Sequence, residues 1–277
     1  MDDPADTRLL DPQAYLDRFH FARHVARAAL QPSLQLLRAL HQAHLLAVPF
    51  ENLSIHYGEP ITLEDAALYD KIVRHRRGGF CYELNGLFAW LLHRLGFTVS
   101  LLSARVAQAD GDFSPEFDHL TLQVHALDGA DWLADVGFGD SFRQPLRVET
   151  DLDQDGGDGY SYRLHMDAGA AGEAHTVSWL LQRRSGMEGA AEWEAQYQFT
   201  SRPHDMGDFV QRCHYQQTSP DSHFTQRRIC SLALPDGRLT LSDRRLITTL
   251  HGVRNERELA SEEEYRAVLA DRFGITL

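Results

Sequence analysis

At 277 residues, the chain is long enough for one large domain or two or three small ones. Its 43% hydrophobic content is ordinary for a globular protein, and no apolar run approaches the roughly 18 residues that a membrane span needs. A net charge of −13 disfavours non-specific binding to nucleic acid, so neither a nucleic-acid nor a membrane partner is expected.

The N-terminus, Met1-Asp2-Asp3-Pro4-Ala5-Asp6, is acidic where a signal peptide would be basic and then apolar. Three cysteines, Cys81, Cys213 and Cys230, form no CxxC pair and fit a reduced, cytoplasmic compartment. Asp11-Pro12 ahead of Tyr15, Leu16 and Phe19 predicts a capped amphipathic helix with proline at its first position. Ser33 caps a second helix, in which Leu34, Leu37, Leu40, His41 and His44 recur at helical spacing, and Pro49 ends it. Phe50-Glu51-Asn52-Leu53 is expected to be a connector. Thr62-Leu63-Glu64-Asp65, a capping box with Asp in the place of Glu, opens a third helix running to about Arg74. An amphipathic segment from Cys81 to Leu95, closed by Gly96, completes a helical bundle over residues 1–96.

Beyond Gly96 the period becomes that of strands: Thr98–Val106, His119–Ala126, Trp132–Phe138, Tyr160–Met166, His175–Gln182 and Trp193–Phe199. A run of strands after a run of helices predicts an α+β fold, with an antiparallel barrel or sandwich over residues 97–200. The turn Asp151-Leu152-Asp153-Gln154-Asp155-Gly156 imitates the start of a calcium loop. Tyr162 stands where that loop needs a glutamate, so it is read as an acidic surface loop and no metal site is expected. From His204 a short helix runs through Gln211. Strands Ile229–Leu234 and Leu239–Leu241 follow, joined by the hairpin signal Pro235-Asp236-Gly237. Ser261-Glu262-Glu263-Glu264 is a full capping box for a last helix ending at Gly274. Residues 201–277 are therefore expected to form an α/β segment that closes over the rest.

Three residues carry candidate chemistry. Cys81 follows Arg76-Arg77-Gly78-Gly79-Phe80 and begins a helix, where the dipole favours a thiolate and the two arginines push the same way. A small buried hydrophobe is the competing reading. His119 shares a strand face with Thr121, Gln123 and His125, which places it toward a polar space, as a base or as a surface histidine. Asp135 interrupts the apolar run from Trp132 to Phe138. It either meets a partner, because an unpaired buried charge costs several kcal/mol, or faces solvent at the strand end. Cys213 and Cys230 read as packing residues.

The segment Arg77-Gly78-Gly79-Phe80-Cys81-Tyr82-Glu83 resembles the active-site signature of the arylamine N-acetyltransferases. So do Val48-Pro49-Phe50-Glu51-Asn52-Leu53, Asp118-His119-Leu120, Leu133-Ala134-Asp135-Val136-Gly137-Phe138-Gly139 and Gln217-Thr218-Ser219-Pro220-Asp221-Ser222-His223-Phe224, in the family's order. The resemblance implies a fold of helical bundle, β-barrel and α/β lid, and a triad of Cys81, His119 and Asp135 like that of cysteine proteases. It implies a ping-pong acyltransferase that moves an acetyl group through a Cys81 thioester to an arylamine or arylhydrazine. Acetyl-CoA, or another acyl-CoA, would be a co-substrate, with no tightly bound cofactor. Gly137, Phe138, Gly139 and Thr218 match positions at the acyl-donor channel, and loop 108–118 matches the family's loop at the mouth of the site. Phe50, Phe80, Tyr82 and Phe138 suit a flat aromatic acceptor. Leu84 departs from the polar residue that many members carry. An amide synthase closing a polyketide chain and a Cys–His–Asp hydrolase are the alternatives on the same scaffold.

Overall fold

The caps written into the sequence start and stop the first helices. In this computed structural model, which describes residues 10–21, 31–167, 177–185 and 192–277, α1 (Pro12–Arg18) is capped by the Asp11 side chain, which accepts from the Gln13 N–H. Ser33 does the same for α2 (Leu34–Ala47) through the Leu36 N–H. The expected connector is instead strand β1 (Phe50–Glu51) and helix α3 (Leu53–Tyr57). The third predicted helix starts later than its near capping box suggested. It runs as α4 (Asp65–Tyr69) after an N-cap at Glu64 that makes no side-chain bond, then widens into a π-turn, Asp70–Arg74.

Helix α5 (Cys81–Arg94) ends on Gly96, which takes a left-handed φ of 89°. The sequence reading made it amphipathic; in fact every residue from Cys81 to Leu92 is buried, the pattern of a helix surrounded by protein. Leu84, Leu87, Phe88 and Leu91 are fully enclosed by α1, α2, α4 and the first barrel strands.

Strands β2 (Val99–Val106), β3 (His119–Leu127), β4 (Ala130–Ala134), β5 (Leu146–Arg147), β6 (Gln154–Asp155), β7 (Tyr160–Asp167), β8 (Ser178–Ser185) and β9 (Glu194–His204) form one antiparallel sheet. Its order is β5-β4-β3-β2-β9-β8-β7-β6. The two edges are bridged by the Gln154 side chain, which accepts from the Arg147 N–H (2.6 Å) and donates to the Arg147 carbonyl (3.0 Å), so the barrel is nearly closed. Leu102, Leu133, Phe142, Leu164, Leu181 and Phe199 lie in its core. The first residues of the predicted strand His175–Gln182, and the acidic N-terminus, lie outside the described residues. The calcium-like turn is exposed at Asp151–Asp153, and its acids are engaged within the chain: Asp151 bonds His165 and Asp153 bonds Arg184.

A 3₁₀ turn, Met206–Phe209, leads into α6 (Val210–Thr218) and the short α7 (His223–Gln226). Then β10 (Ile229–Leu234), β11 (Gly237–Ser242), β12 (Arg245–Leu250) and β13 (Val253–Glu258) form a meander, to which β1 adds by pairing with β10. Helix α8 (Glu262–Phe273), capped by Ser261 and ended by Gly274 at φ 68°, packs Tyr265, Leu269 and Phe273 against Leu239 and Leu241 of this sheet. The fold is α+β: helices, a nearly closed antiparallel barrel, and a second sheet with its own helix.

Candidate active site

Cys81 is the first residue of α5 and is only 4% exposed. The helix start is held by Glu83, whose Oε2 accepts from the Phe80 N–H (3.1 Å) while Oε1 pairs with Lys71 (2.7 Å). Gly78 and Gly79 do not supply left-handed backbone. They permit close approach: a Cβ on Gly78 would sit 1.9 Å from the Pro49 carbonyl oxygen, and one on Gly79 2.7 Å from Glu83 Cβ. The Glu51 N–H bonds the Gly79 carbonyl at 2.8 Å, so the 48–53 and 77–83 segments are locked side by side.

The arginines do not serve the thiol as expected. Arg77 turns away to Glu51 (3.0 Å) and Glu59 (3.3 Å) and is itself buried; the Arg76 backbone carbonyl accepts from Arg18. Burial pushes the Cys81 thiol well above its ordinary pKa. The Leu120 N–H, offered to the sulfur, pulls it down, and the Asp118 and Asp135 charges raise it further.

β3 brings His119 to the same place, since Leu120 follows it directly. The strand is not half-exposed as its alternation suggested: Thr121 and Gln123 are buried as well as Leu120, Leu122 and Val124. His119 is 3% exposed, and its Nε2 donates to Asp135 Oδ2 at 2.6 Å. The second ring nitrogen, Nδ1, is not engaged by Asp135.

Asp135 lies just past the end of β4, 1% exposed, and is met by four donors. Oδ2 takes His119 and the Tyr197 hydroxyl (3.0 Å); Oδ1 takes Asn85 Nδ2 (2.9 Å) and the Gly137 N–H (2.9 Å). Burial alone would raise its pKa, yet His119, Asn85 and Gly137 hold the carboxyl below its usual range. Asn85 also donates to the Leu120 carbonyl (2.6 Å) and accepts from the Val136 N–H (2.8 Å). One amide therefore ties α5, β3 and the segment after β4 together. Asn85 and Tyr197 carried no role in the sequence reading. Asn85 had a signal, a polar residue four positions after Cys81 inside an apolar helix and hence on the same face; Tyr197 had none.

Gly137 must be glycine, because a Cβ there would sit 2.8 Å from both Cys81 Cα and Asn85 Nδ2. Phe138 is half-buried, its ring 5.1 Å from those of His119 and Tyr197. Gly139 has φ 93° and lies beside Phe50. Phe80 and Tyr82, expected near an acceptor, are core residues instead: Phe80 packs edge-on against Tyr82 and Phe224, and Tyr82 donates to the Phe117 carbonyl at 2.8 Å. That bond ties the 108–118 loop to α5. Thr218, at the end of α6, is exposed and gives its hydroxyl to the His214 carbonyl (2.8 Å) rather than to Cys81, His119 or Asp135. Cys213 and Cys230 are buried, and burial pushes the Cys213 thiol up to about 12.

A family model described as N-acetyltransferase matches residues 33–277. The pineal-gland isozyme NAT-3 of arylamine N-acetyltransferase from Gallus gallus is 35% identical over 274 residues, covering 89% of each chain. Among solved structures, arylamine N-acetyltransferase from Salmonella typhimurium superposes with a TM-score of 0.84 at 31% identity, covering 95% of this chain and 90% of that one. The Mycobacterium marinum arylamine N-acetyltransferase in complex with CoA gives 0.82 at 34% identity, over 96% and 93%.

Proposed function

The chain belongs to the arylamine N-acetyltransferase family, an acyltransferase family, and on that premise we propose that Cys81, His119 and Asp135 carry acetyl transfer from acetyl-CoA to an arylamine or arylhydrazine. The observation that carries this assignment is the buried 2.6 Å bond from His119 Nε2 to Asp135, beside the helix that starts at Cys81. Acetyl transfer is favoured over the amide synthase and hydrolase alternatives by the family match.

In the first half-reaction His119 Nδ1 takes the Cys81 proton and the sulfur attacks the thioester carbonyl. The Cys81 and Tyr82 amides at the start of α5, which a helix leaves without i−4 partners, are the proposed donors to the negative charge that develops on that oxygen. The neighbouring Phe80 and Glu83 amides are already taken by the Glu83 side chain and the Phe80 carbonyl. The carbon–sulfur bond to coenzyme A breaks, and the departing thiolate takes the proton from His119. In the second half the amine nitrogen attacks the acyl-Cys81 carbonyl and passes its proton to His119. The Cys81 sulfur leaves, giving an amide. Asp135 holds the ring by Nε2 and balances its positive charge throughout. Phe50, Phe138 and Phe224, all partly exposed, are the aromatic faces proposed for a flat acceptor. Gly137, Phe138, Gly139 and Thr218 remain proposed donor contacts, and cytoplasmic location is proposed from the cysteine usage.

The test is intact-mass spectrometry after incubation with acetyl-CoA and no amine. One acetyl group is expected, mapped to Cys81, with a burst of free coenzyme A thiol followed by a slow rate. An adduct that survives Cys81→Ala would place the nucleophile elsewhere. Absence of adduct with acetyl-, short-chain and malonyl donors would sink acyl transfer through Cys81.

A further inference from the structure

Seven residues separate Asp135 from Arg143, which follows the barrel-core residue Phe142, and Gly137, Phe138 and Gly139 lie in this irregular stretch. Both of its ends meet one side chain from the helical part of the chain, His41 of α2. Its Nδ1 is 3.1 Å from the Arg143 carbonyl, and its Nε2 is 3.1 Å from both the N–H and the carbonyl of Asp135. A carbonyl can only accept, so a hydrogen on Nδ1 suits the Arg143 carbonyl and the Asp135 N–H together, whereas one on Nε2 would suit the Asp135 carbonyl alone. Nδ1 therefore carries the hydrogen, and in the neutral ring Nε2 is then an acceptor, which the Asp135 N–H satisfies. The imidazole is fully buried, lies parallel to Phe142 (centroids 5.8 Å apart, planes 7° apart) and meets the edge of Phe88. Burial lowers its pKa to about 4, so the neutral form persists under ordinary conditions. A fully enclosed side chain with both ring nitrogens matched to backbone groups at the two ends of one loop is a clip. A packing role alone would be met by leucine.

We propose that His41 is a positioning residue for acyl transfer, joining the two ends of the 135–143 stretch so that the Asp135 carboxylate and the Phe138 ring stay in register with His119. The effect passes through the backbone of Asp135, whose carboxylate receives His119 and whose second neighbour, Gly137, abuts Cys81. Arg143 extends the linkage. Its buried guanidinium donates to the Leu234 (2.6 Å) and Pro235 (3.0 Å) carbonyls, so the β10–β11 hairpin rests on the far end of the same stretch.

This inference rests on the Cys81–His119–Asp135 assignment, and the experiment separates the two. Acylation of Cys81 by acetyl-CoA and its pH profile are measured for wild type, His41→Leu, His41→Asn and Asp135→Asn, beside thermal melts. Loss of the clip lets Asp135 shift by a fraction of an ångström to an ångström, and a misplacement near 1 Å costs on the order of a hundred-fold. His41→Leu is expected to acylate about 10- to 100-fold more slowly, with a displaced pH profile that a purely structural residue would not move. His41→Asn keeps a donor for the Arg143 carbonyl and loses the acceptor for the Asp135 N–H, so an intermediate rate is expected; it decides the matter should the leucine variant not fold. Folded His41 variants with wild-type rate and profile, beside a slow Asp135→Asn, would overturn the role of His41 alone. A wild-type rate in folded Asp135→Asn would overturn the triad and, with it, a clip acting through Asp135.

Discussion

Replacing Asp135 by asparagine tests the proposed chemistry at its most constrained atom. The carboxylate accepts from His119, Tyr197, Asn85 and Gly137, two donors to each oxygen. An asparagine of the same shape must turn an NH₂ toward one of those pairs. Facing Asn85 and the Gly137 amide it would meet two groups fixed as donors, so the NH₂ takes the other side. Tyr197 can rotate its hydroxyl toward Thr121 Oγ1, 3.2 Å away. His119 can satisfy the NH₂ only by presenting a bare Nε2, which moves its hydrogen to Nδ1 and removes the acceptor that the thiol needs. The lost charge matters as much. Opposite unit charges ~4 Å apart at an effective dielectric near 20 attract by about 4 kcal/mol, and within the thiolate–imidazolium population that attraction is partly offset because the same carboxylate opposes a negative Cys81 sulfur. Iodoacetamide alkylation of Cys81 against pH, with Cys213 and Cys230 replaced, reads that population. Wild type is expected to react with a midpoint well below the ~8.5 of a free thiol. In Asp135→Asn the midpoint is expected to move above it, because burial and Asp118 then act on the thiol without an opposing imidazolium. Coincident profiles in two folded proteins would refute the charge coupling.

Two further predictions concern stability. Arg77→Met strands Glu51, fully buried and held low in pKa by Lys71 and Arg77 against its burial; breaking such a pair costs about 3–5 kcal/mol, and a urea midpoint within error of wild type would contradict the buried-pair account. His41 and His44 are buried with pKa values lowered by burial, His41 to about 4 and His44 further depressed by Arg18. Both must stay neutral in the fold and charge freely in the unfolded chain. Their contribution is therefore present above ~6.5 and lost as pH falls toward the folded values, worth about 3 kcal/mol for His41 by pH 4. The Asp135 charge facing His41 opposes part of that cost. Melting temperatures flat between pH 7 and 5 would count against it.

Local signals in the sequence were reliable where one residue decides the outcome. Asp11, Ser33 and Ser261 cap their helices, and Gly96 and Gly274 end theirs in left-handed backbone. What failed depends on contacts distant in sequence. Phe50–Glu51 looks like a connector because its partner, Cys230–Ser231, is about 180 residues away. Val253–Glu258 has no apolar alternation because it is an edge strand exposed along its whole length, where charge discourages pairing with other chains. The arginine beside Cys81 misled for the same reason: neighbours in sequence need not face each other, and Glu51 outcompetes the thiol for Arg77. The proposed triad of Cys81, His119 and Asp135 was legible only together with the motifs around it, since the strand pattern of His119 and the lone acid of Asp135 each suit a bland surface role.

The proposed chemistry also explains why a thiol disfavoured by its surroundings is useful. Burial and two carboxylates oppose a negative sulfur, and the Leu120 amide offsets only part of that. The thiolate is thus tied to a proton held by His119, and the two charges appear and vanish as a pair. Once the sulfur is acylated it can no longer carry charge, so the imidazolium loses that partner and the departing coenzyme thiolate receives its proton. His119 is then left neutral, with its Nε2–H still donated to Asp135 and its Nδ1 free to take a proton from the amine. One residue thereby acts as acid at the end of the first half-reaction and as base in the second, without rearranging the buried bond that orients it.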